Sequence, residues 1–265
     1  MILACTGTDS RWPEYPDWQR TARCPAGADG MEVVTFRSWL DAIDDVAAHF
    51  RSTGISFPVV HLEKSIGAGL SAEDPSEALA LFDLNLGLAQ QVGASITVLH
   101  LWELPVGDSL LERNLAALPA LLDAATRSEL VLTVETIPAR VGSPLENVRR
   151  ACELDERCRV TLDTEFLALH DELEAALEAD WLWERDLVEH VHVKDFAGSL
   201  LDEAGVRCYR VPGEGRIDFV TFFAGLRARG YGGHITLEAP GVGADGTIGI
   251  ERRAEGLRRL RALTG

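Results

Sequence analysis

Eight short apolar runs of strand length punctuate the chain: ILACT, MEVVTF, FPVVHL, SITVLHL, LVLTVE, RVTLD, HVHVKD and HITLE. Runs this apolar fit strands covered on both faces, as in a parallel sheet. Helical periodicity fills most of the intervals. Trp39, Ile43, Val46 and Phe50 share one helix face, as do Leu79, Phe82, Leu86 and Ala89. Leu115, Leu118, Leu122 and Ala125 repeat the pattern, and so do Phe219, Phe222, Phe223 and Leu226. Asp74-Pro75 and Ser143-Pro144 place a capping side chain before a proline at the first helical position.

Eight strands alternating with helices in 265 residues predict an α/β fold, a single (β/α)8 TIM barrel over residues 1–265. No Pro/Gly/Ser-rich linker divides the chain. Residues 10–31, with Trp12, Pro13, Pro16, Trp18 and Gly30, read as a long first loop in place of a helical crossover. An open doubly wound sheet is the alternative, but the first βα turn carries no GxGxxG for a dinucleotide.

Four of the runs end in, or contain, a side chain that binds metals: Glu135 after LVLTV, Asp163 after RVTL, His192 within HVHV and Glu238 after HITL. A carboxylate or imidazole in so apolar a setting needs a partner, because burying it alone is costly. In a barrel the strands' C-terminal ends converge on one face, so one divalent cation can serve all four. His61 and His100 stand at comparable places on earlier strands.

Composition excludes several functions. The net charge of −17 repels phosphate backbones and gives no footprint for nucleic acid. ERRAEGLRRLRALTG is locally basic, but Ala254, Leu257 and Leu260 lie at helical spacing, which makes its arginines the wet face of a final amphipathic helix. No apolar run reaches about 18 residues, so no membrane span is expected. MILACTGTDS lacks the basic start and long apolar centre of a secretory signal, which places the protein in the cytoplasm. Cys5, Cys24, Cys152, Cys158 and Cys208 are odd in number and form no CxxC, so they are read as reduced thiols. A homo-oligomer stays open.

VETIP, TLDTEF, HVHVKDF, VPGEGRIDF and YGGHITLE resemble segments of the xylose isomerase-like TIM barrels, specifically the sugar phosphate isomerase/epimerase group. The most specific part is PGEG followed by IDF, a helix, GYGG and an apolar strand ending in Glu. The resemblance implies one divalent metal ion held by Glu135, Asp163, His192 and Glu238, with His190 as a neighbour of the ligand. Three carboxylates and an imidazole suit manganese first, with Mg²⁺, Co²⁺ or Zn²⁺ as alternatives. It further implies a metal-dependent isomerase or epimerase of a small carbohydrate, free or phosphorylated. In such an enzyme Glu135 and Glu238 would be catalytic, moving a proton through an ene-diolate.

Substrate contacts are expected from His61, His100, Lys194 and Arg210. Each has a plainer alternative: backbone hydrogen bonds for the histidines, a surface pair with Asp195 for Lys194, and a solvated loop for Arg210. Trp12 and Trp18 either close over the pocket or pack its rim, and EAPGVGADG is either a phosphate loop or a turn. Two departures stand out. Phe166 occupies the place of a family histidine three residues after Asp163, and Thr136 replaces an asparagine after the first Glu. Rival readings are a keto-inositol or polyol dehydratase with the same metal and base, and a non-catalytic sugar-binding barrel. An endonuclease IV-like nuclease would share His61 and His100. The missing Asp-x-His after HVHVKD, Phe166 and the acidic surface speak against it.

Overall fold

In a computed structural model, described for residues 1–6, 18–20, 23–205, 207–238 and 249–264, eight strands close into a barrel in sequence order. They are β1 (Ile2–Thr6), β2 (Gly30–Val34), β3 (Val59–His61), β4 (Ile96–Leu99), β5 (Val131–Glu135), β6 (Arg159–Asp163), β7 (Val188–Val193) and β8 (His234–Leu237). β1 pairs in parallel with β2 and β8, β4 with β3 and β5, β5 with β6, and β7 with β8. The fold is a (β/α)8 barrel, as the alternation of runs predicts.

The helices are α1 (Ile43–Ser52), α2 (Ser65–Leu70), α3 (Ser76–Val92), α4 (Leu111–Arg127), α5 (Pro144–Leu154), α6 (Thr164–Leu169), α7 (Leu173–Glu178), α8 (Asp180–Trp183), α9 (Phe219–Ala228) and α10 (Ile250–Thr264). The first βα connection contains a short 3-10 turn at Trp18–Arg20. Trp12 and the glycine-rich loop after Glu238 lie outside the described residues. Among the described residues no helix is long and apolar enough to cross a membrane. None of the five cysteines forms a disulfide.

Contacts divide the chain into two compact units, residues 1–32 with 162–265, and residues 33–161. In the 33–161 unit, Leu115, Leu118, Leu122 and Ala125 bury the predicted face of α4. Phe50 of α1 packs between Trp39 and Phe57 at ring distances of 5.9 and 5.2 Å. Ser143 caps α5, accepting from Glu146 N. Threonines link the interior of three strands. Thr133 and Thr161 share a hydroxyl hydrogen bond of 2.7 Å, and Thr133 also donates to the Thr97 carbonyl. Asp108 clamps the loop before α5, accepting from the backbone N–H groups of Arg140, Val141 and Gly142 and from Asn147. Burial works against its ionisation, but these donors outweigh it and bring the carboxyl down to about 2. Gly67 of α2 lies so close to the backbone that a Cβ there would stand 2.3 Å from the His100 carbonyl oxygen.

In the other unit, Phe219, Phe222, Phe223 and Leu226 bury one face of α9, and Ala254, Leu257 and Leu260 bury one face of α10. One arginine of α10 departs from the expected wet face. Arg253 is wholly buried and hydrogen-bonds Cys5, whose thiol burial pushes up to about 12.

Candidate functional site

Successive residues of a strand point to opposite faces, so positions two apart share one. The polar residues obey that parity. Thr133 and Glu135 align on β5, Thr161 and Asp163 on β6, His190 and His192 on β7 with Lys194 just beyond, and Thr236 and Glu238 at the end of β8. Intervening Val134, Leu162, Val191, Val193 and Leu237 are buried apolar residues. Register sets the ends of β7 and β8 side by side within one unit. Glu135 pairs with Thr161, two residues before Asp163, while His192 pairs with Thr236, two before Glu238.

Within residues 33–161, His61, His100 and Glu135 are buried and bring their donor atoms within 4.8 Å of one another. Both histidines meet the same carboxylate oxygen. Glu135 Oε2 lies 3.1 Å from His61 Nε2 and 2.8 Å from His100 Nε2. His61 Nδ1 lies 2.8 Å from the Leu62 carbonyl, which fixes that nitrogen as the donor. His100 Nδ1 is held at 2.5 Å by Glu103. Burial drives the His61 pKa below its ordinary value. Burial pulls His100 the same way, yet the carboxylates of Glu135 and Glu103 on its two nitrogens prevail and raise it. Thr136, in place of the asparagine, bonds through its N–H to the Thr161 carbonyl.

Within the other unit, Asp163 and His192 are fully buried and Glu238 is almost so. His192 Nδ1 lies 3.9 Å from Asp163 Oδ2 and 3.7 Å from Glu238 Oε2. Its Nε2 contacts both oxygens of Glu32 at 2.9 and 3.2 Å. An Nε2–H donated to Glu32 leaves the Nδ1 lone pair facing the two carboxylates, the tautomer a metal ligand needs. His190 Nε2 lies 2.8 Å from Thr236 Oγ1 and 3.4 Å from Glu32. Glu32, His190 and His192 form a second compact donor group.

Lys194 is not at the surface but turns inward among the strand-end carboxylates. It is 2% exposed, and its Nζ lies 2.6 Å from Asp163 Oδ2, bonds Glu238 Oε2 and sits 4.3 Å from the centre of the Phe166 ring. The surface pair with Asp195 does not form, because Asp195 is itself buried and accepts from four backbone N–H groups, those of Phe196, Gly213, Gly215 and Ile217. That clamp shapes the VPGEGRID turn. A Cβ on Gly215 would stand 2.3 Å from Asp195 Oδ1, so the turn requires glycine there. Arg210 is half-buried, and its carbonyl accepts from Asp195 N. No contact of its guanidinium with the strand-end groups is seen among the described residues.

Sequence reading passed over Glu32 and gave His190 no role. The signal was available: a lone carboxylate inside GMEVV, and a histidine at the parity of His192.

A sequence profile for the xylose isomerase-like TIM barrel matches residues 24–263. The chain belongs to that family. No curated protein matches it by sequence. Solved structures similar to this xylose isomerase-like barrel include the 3-keto-D-glucoside 4-epimerase YcjR of E. coli, at 20% identity and a TM-score of 0.67, covering 99% of this chain and 100% of that one. A D-psicose 3-epimerase of Clostridium cellulolyticum H10 gives 16% identity, a TM-score of 0.73 and coverage of 100% and 99%. A D-allulose 3-epimerase of Methylomonas sp. gives 14%, 0.72, and 99% and 98%. At these identities the likeness is one of fold.

Proposed function

We propose that this chain is a divalent-metal-dependent isomerase or epimerase of a sugar or sugar phosphate, with Glu135, Asp163, His192 and Glu238 as the metal ligands. The observation that carries the reading is the donor set itself. Asp163, His192 and Glu238, two carboxylates and an imidazole, meet within one unit, and Glu135 at the end of β5 completes the set by the family pattern. Asp163 and Glu238 already gather a cation, the Lys194 ammonium, between them. Such an oxygen-rich set fits Mn²⁺, with Mg²⁺, Co²⁺ and Zn²⁺ as alternatives. When bound, the ion would polarise adjacent hydroxyl and carbonyl oxygens of the substrate and offset the charge of an ene-diolate.

The chain's own residues do the rest. One glutamate, Glu135 or Glu238, takes the proton from the carbon beside the carbonyl. The C–H electron pair moves into the new C–C double bond, and the carbonyl oxygen becomes the anion. The other glutamate returns a proton from the opposite face, which inverts that carbon; alternatively a proton goes to the former carbonyl carbon while the hydroxyl proton of the neighbouring carbon passes to its oxygen, which isomerises the sugar. His100 fixes the carboxylate of Glu135 through Oε2, with His61 packed against the same oxygen, and Glu32 fixes the ring of His192. Lys194 and Arg210 are the candidate contacts for substrate oxygens. Sugar epimerases among the fold neighbours support a small carbohydrate as substrate.

The test is solvent exchange. Incubated in D₂O with Mn²⁺ and a panel of ketohexoses, keto-glucosides, their phosphates and keto-inositols, the protein is expected to place deuterium on carbon without net loss of water. Elimination of water in place of exchange would instead identify a dehydratase. Neither event on any compound that binds would leave a non-catalytic barrel.

A further inference from the structure

Lys194 is among the largest fully buried side chains, and its ammonium stands on the two carboxylates that the metal reading needs. All the groups concerned lie within one compact unit. A divalent ion ligated by Asp163 and Glu238 cannot share those oxygens with an ammonium, since two cations at ligand distance repel strongly in a buried setting. The lysine has a second partner already in place. Its Nζ stands 4.3 Å over the Phe166 ring, whose π face attracts a desolvated cation, and its four-carbon stem can rotate off the carboxylates without leaving the ring. Phe166 is itself held in place, because its backbone N–H caps onto Asp163 Oδ1 at 2.9 Å. The backbone of Lys194 is equally fixed, exchanging two hydrogen bonds with the Thr164 hydroxyl. Only the end of the side chain is left to move.

From this we infer that Lys194 is an internal counter-cation that competes with the metal for Asp163 and Glu238. Before metal binds it neutralises the paired carboxylates, and on binding it gives them up and keeps the Phe166 ring as its partner. Lys194 therefore sets metal affinity, and the phenyl ring in place of the family histidine is what receives it. This inference rests on the metal reading of Asp163, His192 and Glu238.

The test compares Mn²⁺ binding to metal-free wild type, Lys194→Met and Phe166→Leu by calorimetry, with melting curves for each. Lys194→Met is expected to bind Mn²⁺ at least about tenfold more tightly, because a nearby positive charge has gone. Without metal it should melt below wild type, its two carboxylates having lost their cation, and saturating Mn²⁺ should erase that deficit. A merely structural lysine would leave the deficit in place with metal bound. Phe166→Leu, a change at a partly exposed residue that keeps the fold, should bind Mn²⁺ several-fold more weakly. Lys194→Met binding no more tightly than wild type overturns the competition. Phe166→Leu matching wild type overturns the role of the ring, and reads out even if Lys194→Met does not fold. No Mn²⁺ bound by any of the three overturns the metal reading itself, and this inference with it.

Discussion

Glu135→Gln and Glu238→Gln should each lower interconversion of substrate and product by roughly 10²–10⁴-fold, the usual contribution of a positioned acid or base. Each amide keeps a carbonyl oxygen, which can still face a hard cation, and keeps the volume of the buried side chain. The expected loss is therefore of proton transfer more than of fold. The two variants should differ in a way that no shared structural defect would produce. With two bases on opposite faces, each variant retains one. Glu135→Gln should still exchange deuterium into the epimer whose C–H faces Glu238, and Glu238→Gln into the other epimer, while neither completes the inversion. Mass spectrometry of each epimer incubated separately in D₂O reads this directly. A variant with wild-type turnover, or both variants exchanging the same epimer, would remove these glutamates from the roles proposed.

Asp195→Ala should be the most destabilising single change outside the strand ends. The carboxylate is fully buried and collects the N–H groups of Phe196, Gly213, Gly215 and Ile217 at 2.7 to 3.1 Å. A buried donor left unsatisfied costs about 1–3 kcal/mol. The turn can relax toward water, so the low end of that range applies to each of the four, giving about 4 kcal/mol in all. For a chain of this size that is a fall in Tm on the order of 10 °C. Asp195→Asn should lie between, because one oxygen still accepts while the amide NH₂ is pushed against a backbone N–H. Thermal melts of the three proteins decide the matter. If Asp195→Ala melts within a degree or two of wild type, the clamp does not organise the turn.

Much of this molecule is legible in its sequence, for reasons that can be stated residue by residue. The alternation of buried runs and helical faces announces the barrel because parallel strands covered on both sides cannot hide their apolarity. Glu135, Asp163 and Glu238 stand out because each ends such a run. The motif VPGEGRID also reads correctly as specific, and the structure supplies the cause: Asp195 gathers its N–H groups and Gly215 admits the close approach. Other features depend on contacts between segments far apart in the chain. Glu32 meets His192 across 160 positions, so MEVVTF shows a carboxylate in an apolar run but not the partner it finds. Lys194 reads either as a substrate contact or as half of a Lys-Asp surface pair, and strand parity turns it inward beside His192. Arg253 reads as a solvated helix arginine, yet it is buried against Cys5 on the first strand. Periodicity finds the face of an element; it does not find which polar residue on another element will meet it.

Titration of Mn²⁺ into metal-free protein shows whether the four proposed ligands hold a divalent ion. Saturable binding of one ion per chain is expected, with a rise in Tm on saturation and at least about a tenfold loss of affinity in Asp163→Asn, which removes a charged ligand from a buried site. No binding heat and no thermal shift with Mn²⁺, Mg²⁺, Co²⁺ or Zn²⁺ would contradict the metal reading.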